Sequence, residues 1–286
     1  MEKILKKPLF FIFGVLLFIN ICSWSIVYEL IKPQLLEVNF FNVGQGDAIF
    51  IETPYNYQIL IDGGPSSAIL EKLGQEMPFW DRTIDLIVLT HPEHDHMAGL
   101  IEVLKRYKVD YVLWTGVLRD TGEYQEWEKI LKEESIDTRI VKRGQKIITP
   151  ALSFRVISPF EDLQGRKIGN TNNTSIVLRL VFDNTSFLFT GDIYKSVENK
   201  LIEKGVVLDS DVLKTAHHGS KTSTGEEFLQ NVSPQIAVIS VGKNNKYDHP
   251  HKEVLEILEK YDIKVLRTDI DGDIKIVSDG RQLKFK

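Results

Sequence analysis

With 286 residues, 43% of them hydrophobic and 26% charged, the chain has the make-up of a globular protein with room for one large core. A net charge of -5 excludes a surface that is basic overall, and leaves a local basic groove as the only route to nucleic acid by charge. The single cysteine, Cys22, excludes a disulfide framework and a cysteine-built metal site within one chain.

After Lys3, Lys6 and Lys7, residues 9–28 carry no charge, and about 20 apolar residues match the hydrocarbon thickness that a helix must span. Three lysines ahead of the run, against Glu29 and Lys32 behind it, predict the N-terminus inside and the bulk outside. No small-x-small site follows, and Ile21 before Cys22 spoils a lipoprotein-type site. An uncleaved signal anchor is therefore expected rather than a removed signal peptide. The predicted division is a cytoplasmic stretch at 1–8, a single transmembrane anchor at 9–28, a neck at 29–35 and a domain at 36–286 on the outer face of the cell membrane.

From Leu36 onward, short β-rich runs alternate with helical periods. Strands are predicted at Leu36–Val43, Asp47–Thr53, Tyr57–Ile61, Leu86–Thr90, Tyr111–Trp114, Thr138–Val141 and Leu152–Ile157. Others follow at Ser175–Phe182, Ser186–Phe189, Val212–Thr215, Ile236–Val241 and Lys264–Arg267, before a hairpin of Asp273–Val277 with Gln282–Phe285. Helices are predicted at Ala98–Arg106, Tyr124–Glu134, Tyr194–Glu203, Glu226–Asn231 and Glu253–Tyr261. Early strands pair locally and later ones alternate with helices, an order that two sheets faced by outer helix layers accommodate best.

All seven histidines fall in three short clusters, each just after a predicted strand: His91, His94 and His96; His217 and His218; His249 and His251. Strand ends leading into loops are where a scaffold most often places reactive groups. In the first cluster, Thr90-His91-Pro92-Glu93-His94-Asp95-His96, an extended backbone projects His91 and Glu93 to one side. Asp95 and His96 follow at the entry to a Met97–Tyr107 helix. Four ligand-type side chains converge within six residues, enough for two neighbouring metal ions.

This cluster resembles the HxHxDH signature of the metallo-β-lactamase superfamily, with Glu93 where the second histidine usually stands. The stretches FFNVGQGDAIFI, LIDGG, THPEHDHMAGL, NNTSIVLRL, FLFTGDI, LKTAHHGSKTS and SVGKNNKYDHPHKEVL run in family order through the domain. Within that superfamily the chain is similar to the hydrolase domain attached to ComEC-type competence DNA-uptake channels. The resemblance implies an α/β fold, a four-layer αββα sandwich, here preceded by one N-terminal transmembrane helix. It also implies two divalent metal ions. Asp192 falls at the bridging carboxylate. His91, Glu93 and one of His217 or His218 would complete the first site, and Asp95, His96 and His249 the second. Asp62, before Gly63-Gly64, matches the aspartate that orients ligands from behind, a support such sites generally need. Asn172 and Asn173 stand where a further histidine is usual. The first site is thus rich in oxygen donors, which brings manganese alongside zinc.

The expected chemistry is hydrolysis of a phosphodiester, with DNA as the first candidate. Asp95 or Asp192 would accept the proton of the attacking water, and His218 would protonate the leaving group. Asn173, Ser220, Lys221 and Asn245, with Asn244 and Lys246, would meet the phosphate. Two rivals are hydrolysis of envelope phosphoesters such as phosphorylcholine decorations, with Trp80, Trp114 and Trp127 as an aromatic cage, and a non-catalytic metal-binding sensor.

Overall fold

The computed structural model describes residues 2–31, 35–149 and 152–285. The chain forms two units, Met1–Gln34 and Leu35–Lys286. In the first, helix α1 (Glu2–Ile31) contains the stretch Phe10–Val27, long and apolar enough to cross a membrane. The helix overruns the predicted span at both ends, since a run of apolar and lysine residues has good helix propensity on either side of the apolar limit. Of the predicted neck at 29–35, residues 29–31 are helical and 32–34 lie outside the described residues.

Among the described residues of the second unit, two sheets of eight and seven strands are formed. The first takes β1 (Leu36–Phe40), β2 (Ile49–Glu52), β3 (Gln58–Ile61), β4 (Thr83–Val88), β5 (Lys108–Trp114) and β6 (Asp137–Ile140). The second takes β7 (Lys146–Ile148), β8 (Ser153–Ser158), β9 (Val177–Phe182), β10 (Thr185–Phe189), β11 (Val212–Lys214), β12 (Ile236–Ile239) and β13 (Lys264–Arg267). The last two strands, β14 (Ile274–Ser278) and β15 (Leu283–Phe285), return to the first sheet beside β1. Strands alternate inward and outward residues, so each sheet has two apolar faces. The inner faces meet in one core that includes Val38, Phe40, Ile51, Ile61, Phe154, Leu180 and Phe187.

The outer face of the first sheet packs under α2 (Ala68–Glu76), α3 (His94–Leu104) and α4 (Gly122–Glu133), around Leu73, Leu100 and Trp127. The outer face of the second packs under α5 (Lys195–Glu203), α6 (Glu226–Val232) and α7 (Lys252–Lys260), around Leu201, Phe228 and Leu258. A single turn, α8 (Thr268–Asp271), follows β13. The layers are helix, sheet, sheet, helix, as expected.

Three elements were not expected from the sequence. Helix α2 buries only Ile69 and Leu73 and has no side-chain N-cap, so its periodic signal is faint. Strand β7 is a three-residue edge strand, exposed at both of its ends. Helix α8 is one turn long. The other departure matters for function: α3 begins at His94, ahead of the predicted Met97–Tyr107 helix, which places Asp95 and His96 inside its first turn. That turn is pressed onto the loop after β3. The Gly63 amide donates to the His96 carbonyl at 2.8 Å and the Gly99 amide to the Gly64 carbonyl at 2.9 Å. The approach leaves no room for side chains: a Cβ on Gly99 would lie 1.8 Å from the Gly63 carbonyl oxygen.

Glu198 on α5 anchors the loop between β11 and α6. Its carboxylate accepts from the amides of Thr224 at 2.6 Å and Gly225 at 2.8 Å, at the entry to α6. Burial raises its pKa to about 7, although those two amides favour the charge. The folded value lies above the unfolded one, so this group's contribution is fully present below pH 4.5 and is lost as pH rises through about 7. The effect is worth on the order of 3 kcal/mol. Thermal melts of the full chain should show a midpoint that falls between pH 5 and pH 8, and Glu198→Gln should flatten that fall; parallel curves for the two proteins would refute the assignment.

Candidate metal centre

Strands β3, β4 and β5 run parallel, as do β10, β11, β12 and β13. Their carboxyl ends share one edge of the sandwich, the edge where open α/β sheets bind ligands. Asp62 follows β3, the His91–His96 segment follows β4, Asp192 follows β10, His217 and His218 follow β11, and the loop holding His249 follows β12. Three histidine clusters separated along the chain thus meet at one place.

At the centre, one ligand-type atom from each of Asp95, His96, Asp192 and His218 lies within 4.8 Å of the others. Asp192 Oδ2 is 3.4 Å from His96 Nε2 and 3.4 Å from His218 Nε2, and His218 Nε2 is 3.3 Å from Asp95 Oδ2. His217 stands further out, with Nε2 3.9 Å from Asp192 Oδ2. The Nε2 atoms of His91, His96 and His218, and Asp192 Oδ1, are buried without a hydrogen-bond partner among the described residues. Buried polar atoms are rarely left so. These four, from imidazole and carboxylate, lie at the same cluster and form a donor set that fits divalent cations. The two oxygens of Asp192 divide between paired and unpaired, as a carboxylate serving two ions would. Asp192 is not spent on capping α5, whose N-cap is Tyr194.

Behind the donors lies a second layer of partners. Asp62 Oδ2 pairs with His96 Nδ1 at 2.7 Å and accepts from Thr90 Oγ at 2.7 Å, while its Oδ1 accepts from the Thr90 amide at 2.8 Å. His218 Nδ1 lies 2.9 Å from the Ser240 carbonyl and 3.4 Å from Asp47 Oδ1. Asp47 in turn pairs with Lys214, and both are buried. With Nδ1 of each ring occupied, Nε2 is left facing the centre. Asp47 and Lys214 belong to this second layer, and sequence reasoning passed them over.

Charges in this pocket are settled by neighbours. Burial alone would neutralise His96, but Asp192, Asp62 and Asp95 outweigh it and hold the imidazole well above its ordinary range. His218 is raised in the same way, against burial, by Asp192 first. Burial would likewise protonate Asp192 and Asp95, yet His218 and His96 keep both carboxyls below the usual range. His91 goes the other way: burial, then the charge on His96, pushes it down to about 3. His249 falls to about 4 through burial and the charges of His218 and His217. The carboxylates are held ionised and His91, His217 and His249 are held toward neutrality, the states in which those groups bind cations, whereas His96 and His218 would give up a proton on binding one.

The strain at the site is in the backbone. His217 (φ 50°, ψ 47°) and His218 (φ 54°, ψ 28°) are consecutive left-handed residues. Asp62 (φ 58°) and Asp248 (φ 57°), beside His249, share that conformation. None is glycine, and each such residue costs about 1–2 kcal/mol.

A cavity of about 170 Å³ opens over the cluster, lined by Gln45, His91, Glu93, Asp95, Asn172, Asp192, His217, His218, Tyr247 and His249. Glu93 reaches it but is engaged elsewhere: Arg119 Nη2 lies 3.0 Å away and Thr171 donates its hydroxyl to the same carboxylate. Asn173, Ser220, Lys221 and Asn245 are not among the lining residues. The Asn173 side-chain oxygen Oδ1 accepts from the Tyr194 amide at 3.0 Å, and Ser220 Oγ lies 3.0 Å from Thr222 Oγ1. Asn245 holds the loop of His249, donating to the His249 carbonyl at 2.6 Å and accepting from its amide at 3.0 Å. His94 is exposed and pairs with Glu123 at 2.6 Å, and His251 Nδ1 accepts from the Lys221 amide at 3.2 Å. Trp114 and Trp127 are buried in the first outer core while Trp80 is 73% exposed, so no cage forms from the three.

Comparison with known proteins agrees with this geometry. A family profile described as the metallo-beta-lactamase superfamily matches residues 41–243. ComE operon protein 3 of Bacillus subtilis (strain 168) is 36% identical over 280 residues, covering 90% of this chain and 35% of that protein. Competence protein ComA of Neisseria gonorrhoeae is 31% identical, covering 86% of this chain and 33% of that one. The chain therefore spans about a third of the length of these relatives. Among solved structures, Igni18, a metallo hydrolase from Ignicoccus hospitalis, has a TM-score of 0.57 at 14% identity, covering 84% of this chain and 98% of that one, a likeness of fold.

Proposed function

The chain belongs to the metallo-β-lactamase superfamily, and from that premise we propose that it is a phosphodiesterase with a dinuclear metal centre, acting on DNA or a related phosphodiester. The observation that carries this reading is the set of unpaired, buried Nε2 and Oδ atoms of His91, His96, His218 and Asp192 gathered at one edge of the sandwich. Asp95, His96, Asp192 and His218 would hold one ion. Asp192, His91 and the half-buried His217 would hold the other, with Glu93 joining once it turns from Arg119. His218 thereby takes the place that family spacing gave to His249, and is a ligand rather than the leaving-group acid. Two such ions supply a nucleophilic water at neutral pH and stabilise phosphoryl oxygens.

The residues of the chain perform the rest. Asp95, ionised and 30% exposed at its side chain, faces the cavity and accepts the proton of the attacking water. Arg119, paired with Glu93 at the cavity, would offer its guanidinium to a substrate phosphate once Glu93 turns to an ion. His249 and Tyr247, stacked at 5.7 Å between ring centroids, form the outer wall. Asn245 keeps that wall in place and acts on substrate only through it. The competence names of the relatives favour DNA as the polymer. Helix α1 is proposed as the membrane anchor, with the lysines at its start inside and the hydrolase domain outside.

Turnover of bis-p-nitrophenyl phosphate, plasmid DNA and p-nitrophenyl phosphorylcholine by the full chain, with manganese or zinc added, tests the proposal. Cleavage of the first two and not the third is expected. Cleavage of the choline ester alone would move the substrate to the cell envelope. No turnover at full metal occupancy would leave a binding protein.

A further inference from the structure

Away from the metal centre, a cavity of about 400 Å³ is lined by three arginines, Arg143, Arg155 and Arg179. Arg155 and Arg179 sit directly opposite each other on β8 and β9. Like charges in that relation are destabilising. Among the described residues, no carboxylate lies within ion-pair distance of any of the three, and the acidic side chains that act on Arg179, Asp209 and Asp211, do so from further away. Arg179 gives its Nε and Nη2 hydrogens to the Asp209 carbonyl, at 2.8 and 2.6 Å. Burial depresses its pKa, Asp209 and Asp211 oppose that, and Arg155 adds to it. A protein of net charge -5 thus keeps a concave, carboxylate-free cluster of guanidinium groups.

Neighbouring residues lead from this cavity toward the metal centre. The guanidinium of Arg143 lies over the Phe160 ring at 4.9 Å, and Lys200 Nζ lies 4.9 Å from the same ring. Phe160 and Lys200 line an intermediate cavity of about 190 Å³, together with Arg166, Asn173 and Thr174. Asn172, next along the chain, lines the catalytic cavity. The only carboxylate lining the middle cavity, Glu161, is engaged by Arg166 at 3.0 Å and Lys200 at 3.6 Å. The succession runs from cationic cavity, past an aromatic ring flanked by two cations, to the metal ligands. Cations that track a backbone beside an aromatic face are the recurring elements of single-strand nucleic-acid grooves.

We propose that the cavity of Arg143, Arg155 and Arg179 is a second phosphate site, holding the backbone of a nucleic-acid single strand whose scissile bond lies at the metal centre. The proposal rests on the phosphodiesterase reading for the position of the scissile bond, and on the three arginines for binding. Fluorescence anisotropy of a labelled single-stranded oligonucleotide, measured with the full chain in EDTA across a salt series, reads binding without catalysis. The variant R143E/R155E is suited to the test, because neither side chain makes a hydrogen bond that the fold depends on, and R143Q/R155Q repeats it without charge reversal. Affinity is expected to fall by about 10- to 100-fold at low salt, and the slope of log Kd against log salt to shrink by about two. Turnover of bis-p-nitrophenyl phosphate with manganese should be the same in both variants and wild type, since so small a substrate does not reach the arginines. Unchanged affinity and slope in both variants would overturn the proposal. Failure of the wild type to hydrolyse the small diester would instead overturn the phosphodiesterase reading, and the anisotropy would still decide whether the arginines bind the strand.

Discussion

Asp192→Ala is expected to remain folded and to lose phosphodiester turnover by at least about 10³-fold, the scale set by removing a group that stabilises the transition-state charge directly. The side chain stands between His96 and His218 and is the largest influence raising the pKa of each. Its loss removes the largest of those influences, while Asp62 and Asp95 remain beside His96 and Asp47 and Asp95 beside His218, so neither imidazole is left without a carboxylate and the fold survives. Catalysis is expected to be lost, because Asp192 has one oxygen toward the Nε2 atoms of His96 and His218 and a second, unpaired oxygen left over. Initial rates on bis-p-nitrophenyl phosphate, far-UV circular dichroism and metal content after dialysis give the three readouts. The informative control is His94→Ala: that histidine belongs to the same sequence cluster but pairs with Glu123 at the surface, and its loss should leave rates within about twofold. Turnover by Asp192→Ala within tenfold of wild type would end the enzyme reading.

The second large effect is on stability. Lys214 and Asp47 form an ion pair with both side chains fully buried, and Lys214 Nζ has no hydrogen bond besides. Lys214 is the chief reason that Asp47 stays ionised against burial, ahead of His218. Breaking one side of such a pair strands the other charge, at a cost of about 3–5 kcal/mol, whereas removing both together is far milder. Lys214→Met should therefore melt much lower than wild type, and Asp47→Asn/Lys214→Met should recover most of the loss. Equal destabilisation in the single and double variants would show that the two charges are not coupled. Because Asp47 also stands 3.4 Å from His218 Nδ1, the double variant should keep its fold and lose metal affinity.

The layered architecture could be read in the sequence because the core strands are rich in β-branched and aromatic residues with clear breaks between them. What escaped was weakly patterned, as in the polar helix α2 and the short edge strand β7. The convergence of His91, Asp95, His96, Asp192 and His218 was legible for a different reason: they are grouped by type at strand ends, and a clustering of that kind is visible without coordinates. Their division between roles was not. Nothing in two adjacent histidines says which faces inward, since that follows from the left-handed turn at His217 and His218 and from the bond of His218 to Ser240. Lys214 was read only as the end of a strand, where a lysine usually meets water. Its partner Asp47 lies in GQGD, a stretch noticed for its resemblance and not for its carboxylate. A long-range buried pair leaves no local periodicity. The arginine cavity was hidden likewise, because Arg155 and Arg179 become neighbours only through strand register.

The left-handed backbone at Asp62, His217, His218 and Asp248 bears on how this protein would respond to selection. Glycine occupies that conformation without steric penalty, so the backbone alone favours it at each position. At Asp62 and His218 the exchange would also strip hydrogen bonds from buried partners, so only His217 and Asp248 stand to gain stability. A library screened for heat resistance alone would drift toward glycine at His217 and Asp248, with its sandwich intact. The same library screened for turnover would hold those residues fixed and collect its stabilising changes elsewhere, for example among the polar residues of α2. Comparing where the two screens part company would outline the working site without any prior choice of which residues to mutate.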